Sequence, residues 1–160
     1  ELSGGEAGEV GGYMKELSET GKYTVDNNIK AALASDFAAG FCGDRETKRA
    51  IGDMYREKGY LMDTHTAVAY EVLCEYRSMF NRDRPTVVVS TASPFKFCDS
   101  VLSALGQETG APGTELIGKL ASYTGLKAPK PLAGLDKRPV RFTGCAEKTE
   151  LKSVVDEFLK

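Results

Sequence analysis

The stretch Val87-Val88-Val89-Ser90-Thr91-Ala92-Ser93-Pro94-Phe95-Lys96-Phe97 sets two neighbouring hydroxyls directly after a β-branched run. Valines led in by Pro85 and Thr86 predict a strand covered on both faces, as in a parallel sheet. Ser90 and Thr91 then stand at the carboxyl end of that strand, the edge at which open α/β sheets bind ligands. Ser93 and Pro94 read as the N-cap and first residue of a helix, which turns free N–H groups and a positive dipole end toward the same place. Each hydroxyl can donate one hydrogen bond without carrying charge. That suits a phosphate oxygen or a heteroaromatic nitrogen whose protonation is not to be forced. The same residue types are also ordinary turn and capping groups, and Lys96 an ordinary solvated first-turn side chain, so spacing alone leaves both readings open.

Other reactive side chains form no constellation. His65 is the one histidine, stands near a helix start, and has no Ser-His-Asp arrangement around it. A nucleophilic Cys-His pair exists only in principle. The four cysteines, Cys42, Cys74, Cys98 and Cys145, are widely spaced without a C-x-x-C, so no metal site is expected. They read as free, part-buried thiols in a reducing compartment, which predicts a cytoplasmic protein.

The elements that would position the hydroxyl pair are mostly helical. Ala7, Val10, Met14 and Leu17 follow helical spacing over residues 6–19, with Gly21 as the C-terminal stop. VDNNIKAALA predicts a short helix and DFAAGFC a short buried strand or loop. Asp44 reads as the cap of a helix over 45–58, with Ala50, Ile51, Met54 and Tyr55 on one face and Gly59 beyond it. The next helix starts at Asp63 or Thr64, with Val68, Val72, Leu73, Tyr76, Met79 and Phe80 expected to face the core. After Ser93-Pro94 the helix continues through Val101, Leu102 and Leu105. Residues 106–139 are rich in Gly and Pro and read as a connecting region with one amphipathic helix at TELIGKLASYTG. Residues 140–160 supply a candidate edge strand, Val140-Arg141-Phe142, and a last helix capped by Thr149 with Leu151, Val154, Val155, Phe158 and Leu159 on one stripe.

At 160 residues, 41% hydrophobic and 28% charged, the chain has the size and composition of a single globular unit. A formal net charge of −2 without blocks of like charge leaves no footprint for nucleic acid or an anionic membrane. No apolar run approaches the roughly 18 residues that span a bilayer, and the N-terminus is not of the signal-peptide kind. The chain begins at Glu1 without an initiator Met, which predicts a piece of a longer protein. Helices alternating with short apolar strands give an α/β class, with too few strands for a self-contained doubly wound sheet.

GYLMDTHTAVAYEVL followed by VVVSTASPFKF resembles the C-terminal part of the threonine synthases, pyridoxal-phosphate enzymes of the tryptophan-synthase-β-like fold (fold type II). That family usually reads Gly-Tyr, a few residues, Asp-Pro-His-Thr-Ala-Val-Ala, then a valine-rich strand ending Ser-Thr-Ala-His-Pro-Ala-Lys-Phe. ELSGG and YMKELSETGKY also resemble the segment just beyond the family's catalytic core, so nearly the whole chain is covered. Thr64 replaces the usual proline, Ser93 the usual histidine and Phe95 the usual alanine, which leaves the strand and the hydroxyl pair intact and puts any role of that histidine in question.

The resemblance implies one α/β unit over 1–160, a short, mostly parallel sheet flanked by helices, in an enzyme that converts O-phosphohomoserine and water to L-threonine and phosphate. It implies Thr91 as the hydroxyl that meets the pyridine nitrogen of pyridoxal 5'-phosphate, with Ser90 beside it. The Schiff-base lysine and the phosphate-cradling loop belong to an N-terminal half absent from these residues. Lys96 matches the Lys-Phe motif and not that lysine, so no catalytic residue is expected here, and the chain alone is expected to be inactive. The competing expectation is a stand-alone cytoplasmic module that uses the same hydroxyls to bind phosphate or a phosphorylated metabolite.

Overall fold

Helices form where the sequence supplies caps and an apolar stripe, and the computed structural model describes residues 2–80, 84–110 and 113–160. The first helix, α1 (Ala7–Thr20), stops at Gly21, whose φ of 77° lets its N–H turn back to Leu17 O at 2.9 Å. In α2 (Asn27–Asp36) the Asp26 carboxylate caps the start, accepting from the N–H groups of Asn28 at 2.7 Å and Ile29 at 2.9 Å. The third, α3 (Asp44–Lys58), closes at Gly59, again in the left-handed region at φ 66°. Its N-cap is Gly43 and not Asp44. Asp44 and Glu46 sit in the first turn, where their charges complement the helix dipole.

Helix α4 (Thr64–Phe80) follows, and a 3₁₀ turn over Pro94–Lys96 leads into α5 (Cys98–Ala104). Ser93 caps that turn as expected, its Oγ accepting from Phe95 N–H at 3.3 Å. Then come α6 (Glu115–Thr124) and, after a turn at Lys148–Glu150, α7 (Leu151–Phe158). Glu147, paired reciprocally with Glu150, caps that turn, and Thr149 lies within the turn and does not cap α7.

The core lies where α3 packs on α4 and α5, and α5 on α6. Ile51, Val101, Leu102, Leu116 and Leu120 are fully buried there, each contributing about 1.5–3 kcal/mol of apolar burial. Gly52 lets α3 approach α5 closely, since a Cβ at that position would stand 2.8 Å from Ala104 O. An ion pair between Arg49 and Glu71 ties α3 to α4, and Lys48 Nζ donates to Ser103 Oγ at 3.1 Å between α3 and α5. Such exposed links contribute only about 0–1 kcal/mol each. Apolar contact therefore holds the helices.

Two expectations are corrected. On α4 the buried residues are Thr66 and Ala67, while Met79 and Phe80 are 66% and 56% exposed. Only the first turns of α4 lie against α3. Farther along, Val72, Leu73 and Tyr76 line an open apolar groove with Ala38 and Gly40. The second correction concerns the sheet. Among the described residues no strand forms: 84–91 and 140–142 are extended or irregular, with Val87 87%, Val89 70% and Val140 77% exposed. A β-branched run has strand propensity, but a strand exists only when neighbouring segments pair with its N–H and C=O groups. Of the two readings of DFAAGFC, the loop holds and the burial does not, with Phe37 and Phe41 on the surface.

The total exposed area is 12448 Å2, against about 7,800 Å2 for a folded monomer of this mass by surface scaling. Apolar side chains contribute to the excess: α7 is exposed throughout, with Phe158 at 83%, and Leu159 just beyond it is 75% exposed. Among the described residues no helix is long and apolar enough to cross a membrane.

Candidate functional site

The extended segment carrying the hydroxyl pair is fastened to the helical core at both ends. Near its start, Arg77 Nη2 on α4 donates to Arg84 O at 2.9 Å and to Thr86 Oγ1 at 3.2 Å. At its far end Ser90 reaches the opposite end of α4, where Asp63 precedes Thr64. Asp63 is 1% exposed. Its Oδ1 accepts from the N–H groups of His65 at 2.9 Å and Thr66 at 3.3 Å, which caps the helix. Its Oδ2 accepts from the Thr66 hydroxyl and, at 3.3 Å, from Ser90 Oγ. Thr66 Oγ1 and Ser90 Oγ lie 2.9 Å apart, closing a triangle.

Burial opposes charge on Asp63 and would raise its carboxyl, but the hydrogen bonds from Thr66, His65 and Ser90 outweigh it and hold the group below the ordinary carboxylate value. Asp63 is therefore ionised at neutral pH and offers acceptors only. The Ser90 proton points inward to it. Thr91, next in sequence, is exposed and makes no hydrogen bond among the described residues, so its hydroxyl is free to donate outward.

The remaining candidates lie elsewhere. Lys96 is exposed and lines a cleft of about 570 Å3 with Asp99, Thr114 and Leu132. His65 packs its ring on Phe97 at 5.0 Å, with Nδ1 3.5 Å from Asp63 Oδ1. It shares a cleft of about 360 Å3 with Cys42, Thr47, Lys48 and Ser100. Cys42 Sγ there is 3.4 Å from Thr47 Oγ1. Cys98 is buried and donates to Phe95 O at 3.2 Å; burial first, then the Asp99 charge, pushes its thiol up to about 11. It is protonated and unreactive near neutrality. Among the described residues no cluster of three or more His, Cys, Asp or Glu is placed to hold a metal ion.

Sequence reasoning took Asp63 as a possible helix cap and did not foresee its link to Ser90. The Asp-x-x-Thr start of α4 signals the cap and the Thr66 hydroxyl. Nothing in the linear sequence signals that the carboxylate's second oxygen is used across to a residue far along the chain.

Comparison with known proteins matches this region. Residues 66–155, which include Thr66, Ser90 and Thr91, match the family model "Threonine synthase, C-terminal". Threonine synthase of Saccharomyces cerevisiae is 33% identical over 108 residues, covering 62% of this chain and 20% of the yeast protein. Threonine synthase-like 1 of Mus musculus is 34% identical over 98 residues, covering 61% of this chain and 13% of the mouse protein. The chain thus spans a fifth or less of the length of these two relatives. Among solved structures, PLP-bound threonine synthase from Brucella melitensis superposes with a TM-score of 0.67 at 28% identity, over 99% of this chain and 29% of that one. The yeast enzyme superposes with a TM-score of 0.67 at 26% identity, over 96% of this chain and 30% of that one. With over half of its residues matched by the family model, the chain belongs to the threonine synthase C-terminal family.

Proposed function

We propose that this chain is the C-terminal part of a threonine synthase, an enzyme that converts O-phosphohomoserine and water to L-threonine and phosphate with pyridoxal 5'-phosphate. One observation carries the assignment of the site: Ser90 is tied to the buried Asp63 while the neighbouring Thr91 hydroxyl stays exposed and unpartnered among the described residues. That donor set fits the ring-nitrogen end of the cofactor. Bound there, the cofactor supplies the electron sink that stabilises substrate carbanions.

This chain's residues do the holding. Thr91 would donate its hydroxyl to the ring nitrogen, and a neutral hydroxyl there would not force that nitrogen to be protonated. Ser90 fixes the adjoining backbone through Asp63. A valine-rich strand at 87–89 joins a parallel sheet of fold type II only when the remainder of the enzyme lies beside it, which accounts for the exposure of Val87 and Val89. The same remainder covers part of the 12448 Å2 surface. Residues 1–160 act as one unit within that enzyme, 106–139 as a connection and 140–160 as the closing segment. The thiols of Cys42, Cys74, Cys98 and Cys145 are free, in keeping with a reducing cytoplasm.

The test is phosphate release from O-phosphohomoserine with added pyridoxal phosphate. The 160-residue chain alone should release none, and the same chain expressed with the sequence encoded upstream of Glu1 should release phosphate and accumulate threonine. Release by the chain alone would overturn the need for a second half, and no release by the longer polypeptide would overturn the assignment.

A further inference from the structure

A helix cap needs one carboxylate oxygen, and Asp63 uses Oδ1 alone for that purpose, toward the N–H groups of His65 and Thr66. Its Oδ2 contributes nothing to the cap. It faces the hydroxyls of Thr66 and Ser90. The carboxylate is buried at 1% exposure and Thr66 at 4%, so water does not compete for the carboxylate or the Thr66 hydroxyl, while Ser90 itself is exposed.

Proton accounting fixes the polarity of the pair. Ser90 gives its one hydroxyl proton to Oδ2 at 3.3 Å; the one proton of Thr66 serves that same oxygen or Ser90 Oγ, 2.9 Å away, and either way holds Ser90 against the carboxylate. Ser90 therefore meets a ligand as an acceptor. Thr91 keeps its proton for the ligand. Resting on the threonine synthase reading above, we propose that Asp63 is a positioning residue for the ring-nitrogen end of pyridoxal phosphate: it draws the Ser90 proton inward, so that Thr91 is the pair's one donor to the nitrogen lone pair.

Asp63→Asn separates this role from capping. Asn caps helices as well as Asp, keeping Oδ1, but it puts an NH₂ donor where Oδ2 stood. Ser90 and Thr66 must then accept from it, and the Ser90 proton turns outward, where two donors face one lone pair. Thr66→Ser retains the bridging hydroxyl and Thr66→Val deletes it at nearly constant shape.

The experiment measures the dissociation constant of pyridoxal phosphate by absorbance titration of the longer polypeptide carrying this chain. Asp63→Asn should weaken binding about tenfold, and on a Ser90→Ala background less than about twofold, because its effect passes through Ser90. Thr66→Val should weaken binding and Thr66→Ser restore it, which keeps the test valid even if Asp63→Asn fails to fold. Equal affinity of wild type, Asp63→Asn and Thr66→Val would overturn the inference, as would an Asp63→Asn loss of the same size with and without Ser90. A wild-type polypeptide that binds no cofactor would instead overturn the function on which the inference rests, and the inference with it.

Discussion

Replacing Asp63 by alanine removes two separate contributions to folding. Loss of the α4 cap, which now satisfies the N–H groups of His65 and Thr66, costs about 1 kcal/mol. The Thr66 hydroxyl, buried at 4% exposure, loses its charged partner, at about 1–3 kcal/mol less whatever Ser90 recovers. The expected loss is therefore roughly 2–4 kcal/mol, a large share of the ~5–15 kcal/mol typical of a domain. Asp63→Asn keeps the cap and should lose only about 1 kcal/mol. Urea titrations followed by circular dichroism give both values. Acid supplies a second check with a definite sign. The folded carboxyl titrates below its ordinary value, so the unfolded chain takes up the proton first as pH falls. Asp63's contribution is complete above the ordinary carboxylate range and fades as pH drops through the folded value. The gap between wild type and Asp63→Ala should be constant from pH 7 to about 5 and shrink below about 4. A gap under about 0.5 kcal/mol at pH 7, or one that persists unchanged into strong acid, would refute the hydrogen-bond scheme.

Gly52→Ala sets a methyl 2.8 Å from the Ala104 carbonyl oxygen and should destabilise by about 1–3 kcal/mol by forcing α3 from α5; a neutral effect in urea titration would show that the helices adjust freely. Iodoacetamide at pH 8 should alkylate exposed Cys74 and Cys145 and spare Cys98, whose thiol titrates at about 11, as read by peptide mass spectrometry. Val89→Lys, at a residue 70% exposed in this chain, should change the isolated chain's stability by less than about 0.5 kcal/mol. In the longer polypeptide the same substitution should abolish cofactor binding if, as proposed, residues 87–89 enter a sheet there, because a charge would then be carried into its interior.

Local capping chemistry was legible in part, since the caps read at Asp44 and Thr149 fall at Gly43 and Glu147 instead. Gly21 and Gly59 stop α1 and α3, and Ser93-Pro94 opens the turn before α5, because each depends only on neighbours in sequence. The stripe Leu151, Val154, Val155, Phe158 gives α7, but periodicity names no partner, and the stripe lies exposed. Val87–Val89 carries the propensity of a buried strand without its ladder. The hydroxyl pair was visible in type and order. What orients it, Asp63 Oδ2, depends on a tertiary contact between the start of α4 and Ser90 that no linear pattern encodes.

The central claim is that the Thr91 hydroxyl meets the cofactor's ring nitrogen, and the dissociation constant of pyridoxal phosphate for Thr91→Val in the longer polypeptide tests it most directly. Losing one neutral hydrogen bond of about 1–1.5 kcal/mol should weaken binding roughly five- to tenfold, while Lys96→Ala should leave it unchanged. Unaltered affinity in Thr91→Val, or loss of the bound cofactor's absorbance in Lys96→Ala, would contradict it.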